Sequence, residues 1–167
     1  MFILLRIIHI LSGVFWAGSV FFLVSFLLPT LGAVGPAGGP VQAELNRRGL
    51  FQKLPIVALV AILSGFWMYY IRMQGLSIGN PPTELKVLGA GGASALIAFI
   101  VGVTMVKPRQ DRAGAIMAAV ATMGPGAEKD AKMAEVGKIR GQLGMFARVV
   151  ASLVGITVIT MAIARYV

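Results

Sequence analysis

Apolar residues in this chain are grouped into long blocks that contain no charged side chain. Five such runs occur, at 7–43, 54–71, 87–106, 113–127 and 149–164. A helix needs about 20 mainly apolar residues to cross the roughly 30 Å hydrocarbon core of a bilayer. The first three runs reach that length. The run at 149–164 has 16 residues and reaches that length when Phe146 and Ala147 extend it. Arg148 and Arg165 at its ends can extend their charged groups toward water.

The remaining run, 113–127, is interrupted by Gly124-Pro125-Gly126 and is not expected to span a membrane. The pattern therefore predicts an all-α fold, an integral membrane four-helix bundle, in a single domain over residues 1–167. The expected spanning helices lie at about 3–29, 50–72, 85–106 and 146–166, and a cytoplasmic segment occupies 107–145.

Prolines and glycines set the expected helix ends. Helix 1 is expected to stop near Pro29 and helix 3 to end before Pro108, because proline disfavours a continuing helix. Thr83 is a candidate cap for helix 3. An ordered turn is expected for loop 1, and Asn-Pro-Pro turn chemistry for the short loop at 73–84.

The segment after Ala127 has apolar residues at steps of three and four, which predicts an amphipathic helix. These residues are Met133, Val136, Ile139, Leu143, Phe146 and Val150. We expect this helix to begin in the cytoplasm and to continue into the last span as an amphipathic extension. Alternatively, the extension lies flat on the membrane surface. Gly137, Gly141 and Gly144 weaken it, unless they permit close approach by another element.

Composition and charge agree with a membrane location. The chain is 57% hydrophobic and 13% charged, against about 25% charged for soluble domains. Its net charge is +9, and the basic residues concentrate in loops 1 and 3. By the positive-inside rule these loops face the cytoplasm, so both termini face the outer side of the membrane.

The same charge indicates which partners to expect. The basic side suits anionic lipid headgroups of the bilayer, and we expect no nucleic acid partner. The chain has no cysteine, which excludes disulfides and thiolate metal sites. Small residues four apart, such as Gly91 and Ala95 in helix 3, predict faces where helix backbones approach closely. Such faces suit packing within the bundle, and they also suit contact with other membrane subunits or a second copy of the chain.

One stretch near the N-terminus, "RIIHILSGVFWAG" at 6–18, carries the candidate chemistry. It contains the only histidine, His9, and a near copy of its second half, "ILSGFW", returns at 62–67 without a histidine. On a helix, His9, Gly13 and Trp16 share one face. Because ionisable residues in a membrane are costly, His9 is a functional candidate, whereas Arg6 lies near the outer end as an anchor.

Other polar residues are expected in the same outer layer. Lys86 opens helix 3 and Arg165 ends helix 4. A neutral imidazole is a good ligand for heme iron, and Lys or Arg side chains neutralise heme propionates. His9, Trp16, Lys86, Arg6 and Arg165 are therefore the candidate residues for binding a heme b or porphyrin, with His9 as the iron ligand. With one histidine, the second axial ligand would be a methionine, the lysine, an open position or His9 of a second subunit.

The first half of the chain resembles a family of small bacterial membrane proteins. "RIIHILSGVFWAGSVFFLVSFLLPTL", "LNRRGLFQKLPIVALVAILSGFWMYY" and "ELKVLG" resemble, in order, the first helices of HemJ-type protoporphyrinogen oxidases and CopD-like domains. The likeness covers residues 6 to about 95. It implies heme binding by the first-helix histidine, which is His9 here, and a functional role for the helix 3 lysine, which is Lys86.

Three functions remain open from the sequence. The first is a redox protein that binds heme or porphyrin through His9. The second is a non-catalytic accessory subunit of a larger respiratory or photosynthetic membrane complex. The third is transport of copper or another small solute, for which only scattered Ser and Thr residues would line a path. Enzymatic activity is left undecided, since no complete catalytic set is present.

Overall fold

The computed structural model describes residues 1–74 and 80–167, and its described part is built from five helices. They are α1 (Phe2–Ala33), α2 (Gly38–Arg47), α3 (Leu50–Met73), α4 (Thr83–Ala121) and α5 (Ala127–Tyr166). Four of them, α1, α3, α4 and α5, are long and apolar enough to cross a membrane. The prediction of an all-helical chain with four such helices is confirmed.

Alanine and valine side chains, together with one tryptophan, form the core between the four long helices. Its buried members are Trp16, Val20, Ala58, Ala95, Ala98, Val150 and Val154. Alanines at the contacts let the helix backbones approach closely, which is the usual way that helices associate in lipid. Most other large apolar side chains point outward, as expected where the surroundings are apolar.

Helices α4 and α5 are joined by hydroxyl groups that bond to the main chain of the neighbouring helix. Ser94 Oγ donates to the Leu153 carbonyl at 2.8 Å, and Thr157 Oγ1 donates to the Gly91 carbonyl at 3.2 Å. Gly91 is buried, and a Cβ added there would overlap Thr160 Oγ1. The small-residue face predicted at Gly91 and Ala95 is therefore a close helix contact.

Two helices continue past the prolines at which they were expected to stop. A π-helical turn at Leu23–Leu27 precedes Pro29 in α1, and another at Gly102–Val106 precedes Pro108 in α4. Such a turn inserts an extra residue and shifts the hydrogen bonds to i→i−5, as from Lys107 N to Gly102 O. Proline has no N–H to place in the ladder, so a shifted register accommodates it and the helix resumes.

At the end opposite the chain termini, which we call the basic end, α4 and α5 extend as an antiparallel pair. Ala113 packs on Ile139 and Leu143, and the Arg112 guanidinium pairs with the Glu135 carboxylate at 2.5 Å. The helix predicted to begin near 127 is confirmed, and its apolar stripe faces α4. That contact corrects the alternative in which the stripe lies flat on a membrane. The prediction of close approach at the helix glycines is also wrong, since a Cβ at Gly137, Gly141 or Gly144 meets nothing within 4 Å.

Loop 1 is ordered, as predicted, but it contains the unexpected helix α2. The Glu44 carboxylate accepts hydrogen bonds from Arg47 and Arg48, at 2.7 to 2.8 Å. These bonds lower the pKa of Glu44 and raise the pKa of Arg47. Gly49, at φ 75°, then makes the left-handed turn that starts α3.

The start of α4 also differs from the prediction. Thr83 is its first helical residue and makes no side-chain capping bond, because Pro82 occupies the capping position. Part of the predicted turn at 73–84 lies outside the described residues.

Replacing Gly91 with alanine tests the contact between α4 and α5. We expect G91A to lower the free energy of unfolding by about 1–3 kcal/mol, because the added methyl group overpacks against Thr160. The neighbouring G92A meets nothing within 4 Å and is expected to stabilise by up to about 1 kcal/mol through helix propensity. Unfolding of the purified protein in detergent measures both, and equal stabilisation by the two variants would contradict the close contact.

Candidate functional site at the His9 crossing

The histidine in α1 is bonded to the main chain of α3. His9 Nδ1 lies 2.7 Å from the Ala61 carbonyl oxygen, and the ring is half-buried between the two helices. A carbonyl oxygen only accepts hydrogen bonds, so Nδ1 is the nitrogen that carries the proton. We call His9, Ala61, Ser64 and Gly65 the His9 crossing.

The crossing joins the two copies of the repeated "ILSG" sequence. His9 precedes the first copy and Ala61 precedes the second, so the bond links equivalent positions. The two serines behave alike: Ser12 Oγ donates to the Ile8 carbonyl at 2.6 Å, and Ser64 Oγ donates to the Val60 carbonyl at 2.7 Å. The two copies thus share one local structure, and only the first supplies a ring that reaches the other.

The glycines of the two copies have different surroundings. A Cβ at Gly65 would lie 2.7 Å from His9 Cε1 and 3.0 Å from Nδ1, whereas a Cβ at Gly13 would meet nothing within 4 Å. Gly65 therefore provides the space that the imidazole occupies. Gly13 leaves open space on the face of α1 that it shares with His9.

The other ring nitrogen of His9 is available to a ligand. Nε2 takes part in no hydrogen bond with the described residues, and it is not a fully enclosed atom. Histidines that bind metals commonly donate their second N–H to a carbonyl or carboxylate, which fixes the tautomer and the ring orientation. His9 has this arrangement, with the Ala61 carbonyl as the acceptor.

Trp16 is in the core rather than on an open surface. It is only 7% exposed and packs with Val20 and Ala58, while its neighbour Phe15 is 52% exposed. The indole therefore helps to hold α1 against α3, and Phe15 is the aromatic side chain that lies open beside it.

The basic candidates of the outer layer have partners of their own, or none. Lys86 Nζ donates to Asn80 Oδ1 at 3.1 Å, and the Arg165 guanidinium lies 4.8 Å from the centre of the Tyr166 ring. Arg6 is exposed and takes part in no side-chain hydrogen bond or ion pair with the described residues. No hydrogen bond or ion pair within the described part of the chain joins His9 to Lys86, Arg6 or Arg165.

An ion pair and a cation–π contact join three helices at the end of the molecule that holds the chain termini. Arg72 at the end of α3 pairs with Glu84 at the start of α4 at 2.5 Å, and its guanidinium lies 6.0 Å from the Phe2 ring centre. This contact brings α1, α3 and α4 into one layer. Lys86 therefore enters the layer that the sequence predicted, although its ammonium group turns toward Asn80.

These residues fit one axial position of a heme iron. His9 supplies an oriented imidazole with an unshared electron pair on Nε2. One such imidazole is enough to bind a heme iron from one side of the ring. The described residues contain no cluster of three or more His, Cys, Asp or Glu side chains that would bind a bare metal ion. Among the basic candidates, Arg6 is exposed and lies three residues before His9 on the same helix.

Sequence reasoning missed the partners of His9. Ala61 and Gly65 carry no chemistry of their own, and the only signal was the repeated "ILSG", which marked both sides of the crossing. It also missed Gln110, a buried side chain in a stretch that was expected to be a loop.

Comparisons of the chain with protein-family models, with curated proteins and with solved structures find no match. The His9 crossing is therefore interpreted from its own geometry.

The two equivalent glycines provide a test of the crossing. We expect G65A to lower the free energy of unfolding by about 1–3 kcal/mol, because the added methyl group displaces the imidazole. G13A, the matched control, gains helix propensity of up to about 1 kcal/mol and loses no contact.

The same measurement in the background of H9A completes the cycle. In the H9A background, which has no ring, G65A should no longer lower the free energy of unfolding. An equal cost with and without His9 would mean that the imidazole does not occupy the space above Gly65.

Proposed function

We propose that this chain is a multi-pass protein of the bacterial inner membrane that binds a b-type heme or a related porphyrin through His9 and serves a redox role. The proposed arrangement places both termini in the periplasm and the basic end in the cytoplasm. It also takes the four long helices as a membrane-spanning bundle, with the paired extensions of α4 and α5 on the cytoplasmic side.

One observation carries the proposal: His9 Nδ1 is bonded to the Ala61 carbonyl at 2.7 Å, which leaves Nε2 without a partner among the described residues. In an apolar layer an unpaired ring nitrogen is costly, so a ligand at Nε2 would stabilise this arrangement. The resemblance to HemJ-type oxidases and CopD-like domains supports the same residue, His9. Bound heme would supply one-electron chemistry, while this chain's own residues hold and orient it.

The open face of α1 suggests where the ring would lie. Gly13 follows His9 by one turn on the same face of α1 and has free space above it, so a flat group can rest against α1 beside His9. The chain has one histidine, so a second histidine ligand would come from a second copy of the chain or from another subunit.

An accessory-subunit function is the second candidate, and it rests on a different observation. Lys86 and Arg72 are bonded to Asn80 and Glu84, and His9 is bonded to Ala61, so the described polar groups near the termini do not converge on a reacting centre. In this alternative the His9 bond serves only to join α1 and α3, and the outward faces contact other subunits.

The geometry gives transport no such support. Seven hydroxyl groups are candidates to line a polar path, and those of Ser12, Ser64, Ser94, Thr104, Thr157 and Thr160 donate to main-chain carbonyls. Ser19 is the seventh, and it alone does not make a polar path across the apolar layer.

Reduced-minus-oxidised visible spectra of the detergent-purified protein test heme binding, with hemin added where the protein is isolated without it. We expect a Soret and an α-band in the parent protein and their loss in H9N. Asparagine can keep a donor near the Nδ1 position, facing Ala61, while it removes Nε2. H9N should therefore unfold at close to the parent's temperature.

H9A serves as the comparison, because it removes both the bond and the ligand. We expect H9A to lose the bands and also about 0.5–1.5 kcal/mol of stability. Bands that persist in H9N, or a parent protein that takes up no heme, would overturn the heme proposal. In the second case the accessory-subunit proposal would lead.

A further inference from the structure

A groove at the basic end of the molecule has the features of a binding site that the heme proposal does not use. It has a volume of about 370 Å³ and lies between the last turns of α1, helix α2, and residues 140–148 of α5. Its charged lining residues are Arg140 and Arg148, and its uncharged polar ones are Gln42 and Gln110. Neither Asp nor Glu lines it.

Gln110 is the first sign that the groove has a ligand. The side chain is 5% exposed, and its Nε2 atom is enclosed without a hydrogen-bond partner among the described residues. Buried polar atoms in folded proteins are almost always bonded, so this amide is open to an acceptor from outside the chain, either a water or a ligand oxygen. A phosphate or carboxylate oxygen is such an acceptor.

The two arginines are the second sign. Arg148 Nε donates to the Gly144 carbonyl at 3.2 Å, which holds the guanidinium group against α5. The carboxylates that form ion pairs in the described structure use other cations: Arg47, Arg48, Arg72, Lys107, Arg112 and Lys132. Arg140 and Arg148 thus keep their positive charge available at the groove, which favours an anion.

The groove continues into an apolar slot. A second cavity of about 130 Å³ shares Leu28, Gln110 and Leu143 with the groove and reaches Trp16 and Phe99 in the core. Its lining is nearly all apolar apart from Gln110 and Lys107. A ligand that fills both parts must have an anionic head and an apolar chain.

The position of the groove along the helices agrees with such a ligand. Arg148 is the last charged residue before the apolar run at 149–164, and Pro29 lies where the apolar part of α1 ends. In a bilayer this is the depth at which lipid phosphates meet the acyl chains. Basic residues at this depth attract anionic lipids.

We propose that the groove binds one anionic phospholipid, with its phosphate between Arg140, Arg148 and Gln110 and one acyl chain in the slot toward Trp16. Gly141 and Gly144 then have a role, because their missing side chains keep the groove open. The proposal is independent of heme binding at His9.

Tryptophan quenching by lipids with brominated chains tests this proposal on the full chain. The protein has two tryptophans, and Trp67 is 50% exposed, so W67F leaves only the buried Trp16 as the reporter. In phosphatidylcholine bilayers, we expect a small fraction of brominated phosphatidylglycerol to quench Trp16 more strongly than the same fraction of brominated phosphatidylcholine. R140Q and R148Q should each raise the phosphatidylglycerol needed for half-quenching by about fivefold.

K138Q is the matched control, since Lys138 is an exposed residue of the same helix that does not line the groove. It should leave the preference unchanged. If either arginine variant fails to fold, G144L replaces it, because a longer side chain fills the groove from a position with free space. G137L is its control outside the groove.

Three results would overturn the proposal. Equal quenching by the two lipids, or an equal effect of K138Q and R140Q, would mean that only diffuse surface attraction acts on the basic end. Displacement of the quenching by inorganic phosphate would mean that the arginines bind free phosphate and not a lipid.

Discussion

The hydrogen bond from the His9 ring to the Ala61 carbonyl is the contact on which the arrangement of α1 and α3 depends. It forms between two apolar helices that have few other polar groups to fix their register. In an apolar medium such a bond has no competition from water, and leaving either group unpaired is costly. The empty position at Gly65 lets the helices approach closely enough for the bond to form.

The second helix pair follows the same principle with different residues. Ser94 and Thr157 cross from α4 to α5 and back, again to main-chain carbonyls, and Gly91 provides the space between them. Small residues permit the approach, and one polar side chain fixes the register. At the His9 crossing, however, the group that fixes the register is a ring with a second nitrogen. That nitrogen is what makes the site a candidate for ligand binding.

Much of the fold could be predicted from the sequence, because charge-free runs and the spacing of apolar residues depend on local pattern. The helix starting at Ala127 and the four long apolar helices were found in this way. The continuation through Pro29 and Pro108 was not, since a π-helical turn is a response of the backbone that leaves no clear sequence pattern.

For the site, the sequence identified His9 but not its partner, because a main-chain carbonyl such as that of Ala61 carries no residue-type signal. The orientation of the His9 ring is therefore the most direct test of this account. The chain has a single histidine, so selective ¹⁵N-histidine labelling gives a spectrum without assignment problems. In the neutral ring we expect the proton on Nδ1 and none on Nε2. A ring protonated on Nε2 instead would contradict the bond to Ala61, because Nδ1 would then be an acceptor facing another acceptor.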